Sequence, residues 1–168
     1  MEKKQILTAE LADMKLRRMA YEILENNPGV NSLTLAGING NGWIVATQMA
    51  GLLRSISGIQ VELIEVLMDK RDPGKVGLSH PIGLEGRVVV LVDDVTNSGR
   101  VLAYALKPFL EGYPKTIQSL VLVERSHKTF PIHPDFVGLT LSTTLHEHIS
   151  VEVDGDHISG AWVEEAGQ

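Results

Sequence analysis

The chain has 168 residues, the length of one domain able to bury about 70% of its unfolded surface, and its 43% hydrophobic and 21% charged residues are ordinary for a globular protein. A formal charge of −6 excludes whole-molecule attraction to nucleic acid or an anionic membrane, and the lack of cysteine excludes disulfides, zinc-thiolate sites and thiol nucleophiles. No apolar run reaches the ~18 residues of a membrane span, and "MEKKQILTAELADMKLRRM" lacks the apolar segment of a signal peptide, so no membrane partner and a cytoplasmic location are expected.

In "TAELADMKLRRMAYEILENN", Leu11, Met14, Leu16, Met19, Ala20, Ile23 and Leu24 recur near helical spacing. Thr8 and Glu10 mark its start and "NNPG" its stop, which predicts a helix ending near Asn26. "SLTLAGI" reads as a buried strand that passes through "NGNG" into a second helix from Trp43 to Ile56. A strand over Ile59 to Met68 follows, and "DKRDPGKVGLSHPIGLEG" is a loop or short hairpin. "RVVVLV" is the next strand, "DDVTNSGR" a turn, and Val101 to Glu111 a helix that "GYP" ends. A strand over Thr116 to Arg125 follows, and the remainder holds short strand-like runs without a long helix.

Alternating strands and helices predict an α/β fold with a mostly parallel central sheet flanked by helices, in one domain. Ligands of such sheets bind beyond the C-terminal strand edges, where strand order reverses. Two loops fall at such an edge, Gly37 to Gly42 and Asp93 to Arg100.

The second loop carries the most chemistry. A strand that ends in two carboxylates, Asp93 and Asp94, runs straight into the small polar turn Val95, Thr96, Asn97, Ser98, Gly99, Arg100. The turn alone is equally a helix cap, with Asp94, Thr96 or Ser98 at the N-cap, or a phosphate cradle of amides and hydroxyls. Two adjacent acids repel each other and a cap needs neither, whereas beside a phosphate loop they suit a sugar diol or a hydrated magnesium ion.

"VVVLVDDVTNSGR" resembles the phosphoribosyl pyrophosphate (PRPP) motif of the type I phosphoribosyltransferases. "LRRMAYEILENNPGVNSLTLAGINGNG" and "LVLVERSHKTFPIHPDFVGLTLSTTLHEHISVEV" resemble the PyrR family within them, bifunctional pyrimidine-operon attenuators with uracil phosphoribosyltransferase activity. The likeness runs from about Leu11 to Val153 and implies the type I phosphoribosyltransferase fold with a small C-terminal β-rich hood. It implies transfer of ribose 5-phosphate from PRPP to a nucleobase, uracil first, with magnesium as cofactor and PRPP as co-substrate. Asp93 and Asp94 then serve the ribose hydroxyls directly or through the metal, and Val95 to Arg100 surround the 5′-phosphate. Ile38, Asn39, Gly40, Asn41 and Gly42 fall at the pyrophosphate loop, for which a plain glycine-rich turn is the alternative. Lys70 and Arg71 fall in the flexible catalytic loop, for which a solvated charged loop is the alternative. The base is expected near Val123 to Arg125, and the chain is expected to form a homodimer or higher homo-oligomer.

Three departures accompany the likeness. Val101 stands where the phosphate loop of the family ends in a hydroxyl, the pyrophosphate loop carries no basic residue, and the segment from Met68 to Val88 is short. An alternative function is a weakly catalytic nucleotide sensor that binds RNA or a protein partner. Arg17, Arg18, Arg125, His127, Lys128 and His133 are the candidate RNA surface, but the net acidity and few aromatics favour ordinary solvated charge. The six histidines, His146 and His148 among them, read as surface or core residues.

Overall fold

The computed structural model describes residues 2–166. Six strands form the main sheet: β2 (Ser32–Ile38), β3 (Gln60–Met68), β4 (Val76–Leu78), β5 (Val88–Thr96), β6 (Thr116–Arg125) and β7 (Phe136–Leu141), in the order β4-β3-β2-β5-β6-β7. All neighbours run parallel except the β3–β4 hairpin. Chain order runs outward from β2 in one direction through β3 and in the other through β5, so strand order reverses between β2 and β5. Both loops singled out in the sequence leave these two strands at their C-terminal ends.

The period-two alternation of strands divides the core. On β5, Val88, Val90 and Val92 face helices α1 (Ala9–Asn26) and α2 (Asn41–Ile56), while Val89 and Leu91 face α3 (Arg100–Ala105) and α4 (Lys107–Leu110). Leu16, Met19 and Ile23 of α1 and Val45, Met49 and Leu53 of α2 fill the first layer. Leu102, Ala105 and Phe109 fill the second. Burying one such side chain stabilises the fold by roughly 1.5–3 kcal/mol.

Thr8 caps α1 by accepting a hydrogen bond from the Leu11 amide at 3.1 Å, as the sequence predicts. The predicted helix from Val101 to Glu111 is instead two helices meeting at Leu106. Pro108 has no amide hydrogen to return to the preceding turn, and the Leu106 and Phe109 amides make three-residue bonds to Ala103 and Leu106.

The β-rich hood is a three-stranded antiparallel sheet whose membership extends the C-terminal expectation. β8 (Glu147–Asp154) and β9 (His157–Glu165) form a hairpin, and β1 (Lys3–Thr8), which the sequence reading leaves unassigned, pairs with β9 to give the order β1-β9-β8. The strand beside the main sheet's open end is therefore β8, an edge strand. Among the described residues no helix is long and apolar enough to cross a membrane.

Candidate active site

A cavity of about 480 Å³ lies between the C-terminal end of β5 and the hood. Asp93, Asp94 and every residue from Val95 to Val101 line one side, Lys70 and Asn41 enter from neighbouring loops, and His148 to Val151 of β8 form the opposite wall.

Asp93 is a deeply buried residue near the C-terminal end of β5, its side chain 2% exposed. It accepts from Lys70 Nζ at 3.0 Å through Oδ1 and 3.4 Å through Oδ2, and from the Asp94 amide at 2.9 Å. Burial first, and then the neighbouring Asp94 carboxylate, push its pKa up to about 8 against the opposing pull of Lys70. Burial works against the Lys70 ammonium, but the attraction of Asp93 and Asp94 outweighs it and holds the Lys70 pKa above the usual lysine value. Asp94 is less enclosed and lies 3.8 Å from the same ammonium.

β5 stays paired with β6 through Thr96, so the strand runs past Asp93, where the sequence predicts the turn to begin. The shorter turn that follows reaches α3 through Gly99, whose φ of +85° is the left-handed conformation that glycine adopts freely. Ser98 Oγ accepts from the Arg100 amide at 3.3 Å, and the Ser98 carbonyl accepts from the amides of Thr129 and Phe130. Lys128, 10% exposed, donates to the carbonyls of Asn97 at 3.0 Å and Arg125 at 2.7 Å. A Cβ on Gly99 would stand 2.8 Å from Ile132 Cγ2. The segment "ERSHKTFPI" is thus the brace behind the turn.

The turn from Ile38 to Gly42 contributes differently from the expectation of a ligand loop. Only Asn41 lines the cavity; Ile38 is core, and Asn39 Oδ1 accepts from the Met68 amide. Asn41 Nδ2 donates to the Val151 carbonyl, which ties α2 to the hood. Gly40 adopts φ +87° at the start of α2, and Gly42 lies so close to β5 that a Cβ would stand 2.8 Å from Asp93 Oδ1. Arg71 is exposed and outside the cavity lining, unlike its neighbour Lys70.

The expected base position, near Val123 to Arg125, lies at the C-terminal end of β6 beside β5. Val123 is fully buried, none of the three residues lines the cavity, and the wall facing the carboxylates is β8. His148, read from the sequence as an ordinary surface or core histidine, belongs to that wall. No local signal marks β8, because its role comes from packing against strands far away in the chain. Three residues of the candidate RNA surface also make contacts within the fold. Arg18 pairs with Glu22 and donates to the Val137 and Gly138 carbonyls, His127 Nε2 lies 2.9 Å from the Thr143 carbonyl oxygen, and Lys128 is the brace just described.

Two hard carboxylates at the floor of a polar cavity match the needs of a magnesium ion, which takes one or two carboxylates and completes its shell with water and substrate oxygens. Among the described residues there is no cluster of three or more histidine, cysteine or acidic side chains that could hold a metal ion.

The phosphoribosyl transferase domain family matches residues 2–156. The chain is similar to the bifunctional protein PyrR of Pelotomaculum thermopropionicum, at 36% identity over 92% of this chain and 93% of that protein. It is 39% identical to the bifunctional protein PyrR of a Geobacter species over 84% of this chain and 86% of that one. Its fold is similar to the crystal structure of the hypoxanthine phosphoribosyltransferase of Trypanosoma cruzi, with a TM-score of 0.78, 16% identity, and coverage of 98% and 97% of the two chains.

Proposed function

From the premise that this chain belongs to the phosphoribosyl transferase domain family, and within it to the PyrR family, we propose that it transfers ribose 5-phosphate from PRPP to uracil, giving uridine 5′-monophosphate and pyrophosphate. The observation that carries this reading is a single cavity holding, side by side, an acidic pair, a small-residue turn and the free edge of a hood strand. That sequence of surfaces matches a ribose diol, a 5′-phosphate and a planar base.

In this reading Thr96 to Arg100 receive the 5′-phosphate, with backbone amides and the Thr96 and Ser98 hydroxyls as donors. Asp93 and Asp94 accept from the ribose 2′- and 3′-hydroxyls or hold magnesium, which when bound stabilises negative charge on the pyrophosphate. The base rests against β8, whose main-chain groups offer one donor and one acceptor per residue to its carbonyl and N–H pattern. Loss of pyrophosphate from C1 builds positive charge on the sugar, and the neighbouring carboxylates stabilise it electrostatically. The hood limits water's access to that carbon. A homodimer or higher homo-oligomer in the cytoplasm is part of the same proposal.

A second reading, a nucleotide sensor with slow turnover that binds RNA or a protein partner, is favoured by one observation. The pyrophosphate loop has no cation, and its two asparagines are engaged with Met68 and Val151. Calorimetric titration with uridine 5′-monophosphate tests what both readings share. We expect saturable binding that weakens about tenfold in Ser98→Ala, the loss of one hydrogen bond to a charged group. A flat titration, or binding indifferent to this substitution, would contradict the assignment of the turn.

A further inference from the structure

Lys70 Nζ lies 3.0 and 3.4 Å from the two carboxylate oxygens of Asp93 and 3.8 Å from Oδ1 of Asp94. These are the oxygens assigned above to magnesium. Apart from the Asp94 amide, the ammonium is the partner that compensates the buried Asp93 charge. An ammonium in contact with both oxygens of Asp93 repels a dication placed on the same carboxylates, so the two disfavour each other there. The other cations nearby are placed differently. Lys128 donates to two carbonyls behind the turn, and the Arg100 guanidinium lies 6.0 Å from the Tyr104 ring centre. Lys70, by contrast, sits in the short segment between β3 and β4 on a flexible four-carbon stem, 39% exposed, and can leave without moving the sheet.

We propose that Lys70 is a placeholder cation, which compensates the Asp93–Asp94 pair and is exchanged for the divalent ion when the metal loads. The proposal rests on the assignment of the metal to this pair. Metal binding and release of Lys70 into the cavity mouth are then one step. The apparent metal affinity is lowered by the fraction of molecules in which Lys70 occupies the carboxylates.

The test is Mn²⁺ binding to the full chain in the absence of PRPP, read as loss of the free-ion signal in electron paramagnetic resonance. Lys70→Met should bind Mn²⁺ about tenfold more tightly than the parent chain, the gain expected when a competing conformer is removed. Lys75→Met, which removes the same charge from the same segment outside this cavity, should change affinity less than about twofold, as expected of an exposed charge screened by solvent. In the parent chain, saturating Mg²⁺ should raise acetylation of Lys70 by an amine-reactive reagent, measured by peptide mass spectrometry. Unchanged or weaker Mn²⁺ binding in Lys70→Met, binding undetectable in both chains, or equal gains in Lys70→Met and Lys75→Met would overturn the placeholder. Asp94→Asn separates the two levels. If it abolishes Mn²⁺ binding while Lys70→Met changes nothing, the exchange fails and the metal assignment stands; if it leaves binding intact, the metal assignment fails and the exchange with it.

Discussion

Val101 lines the cavity next to the turn proposed to receive the 5′-phosphate. Val101→Thr is nearly isosteric and adds one donor to a charged acceptor, worth about 1.5–3 kcal/mol when well aligned. We expect the KM for PRPP to fall about tenfold, and an unchanged KM would place the phosphate elsewhere. Asp93 makes a separate prediction about stability. Burial first, and then Asp94, raise its pKa above the ordinary 3.8, against the pull of Lys70. Ionising Asp93 therefore costs the folded chain more than the unfolded one, so its contribution to stability is full at the acid end and falls as pH rises above the ordinary carboxylate range, with Lys70 offsetting part of the loss. Asp93→Asn should therefore raise Tm more at pH 8.5 than at pH 4 in buffer without divalent ions. A larger gain at pH 4 would show that burial does not raise the cost of ionising this carboxyl.

Two glycines on α2 show how the element is fitted to the site. A Cβ at Gly42 would meet Asp93 Oδ1 at 2.8 Å and the Val92 carbonyl at 3.0 Å, so the helix start can approach β5 only without a side chain. Gly51, in the same helix, is exposed with nothing within 4 Å. Gly42→Ala should destabilise by about 1–3 kcal/mol through overpacking and raise the KM for PRPP. Gly51→Ala should stabilise by roughly 0.5–1 kcal/mol through helix propensity and leave KM alone. Denaturant titration of both variants checks the opposite signs. Element types were largely legible because local periodicity dictates them: α1 ends at Asn26 and β6 spans Thr116–Arg125, as its apolar pattern indicates. The helix break at Leu106 was also written in the chain, in Pro108, and was overlooked because the apolar spacing continues across it.

For the whole molecule, one wall of the cavity was legible in the sequence and the other was not, for a physical reason. Asp93 to Val101 is contiguous, so a strand, a turn and a helix place its residues together whatever the rest of the chain does. The opposing wall exists only because β1 and β9, more than 150 residues apart in the chain, pair to seat the hood and leave β8 as its edge. Nothing in "EHISVEVD" distinguishes that strand from any half-exposed one. The same non-local packing makes Lys128 an internal brace and lets the exposed Arg18 reach the Val137 and Gly138 carbonyls. The central claim, that this cavity joins a phosphoribosyl group to a base held by the hood, is tested most directly by pyrophosphate release from PRPP and magnesium with uracil, hypoxanthine, guanine or orotate as acceptor. Release that depends on uracil and is lost in Asp94→Asn is the predicted result; release with none of the four bases, or release indifferent to Asp94→Asn, would contradict it.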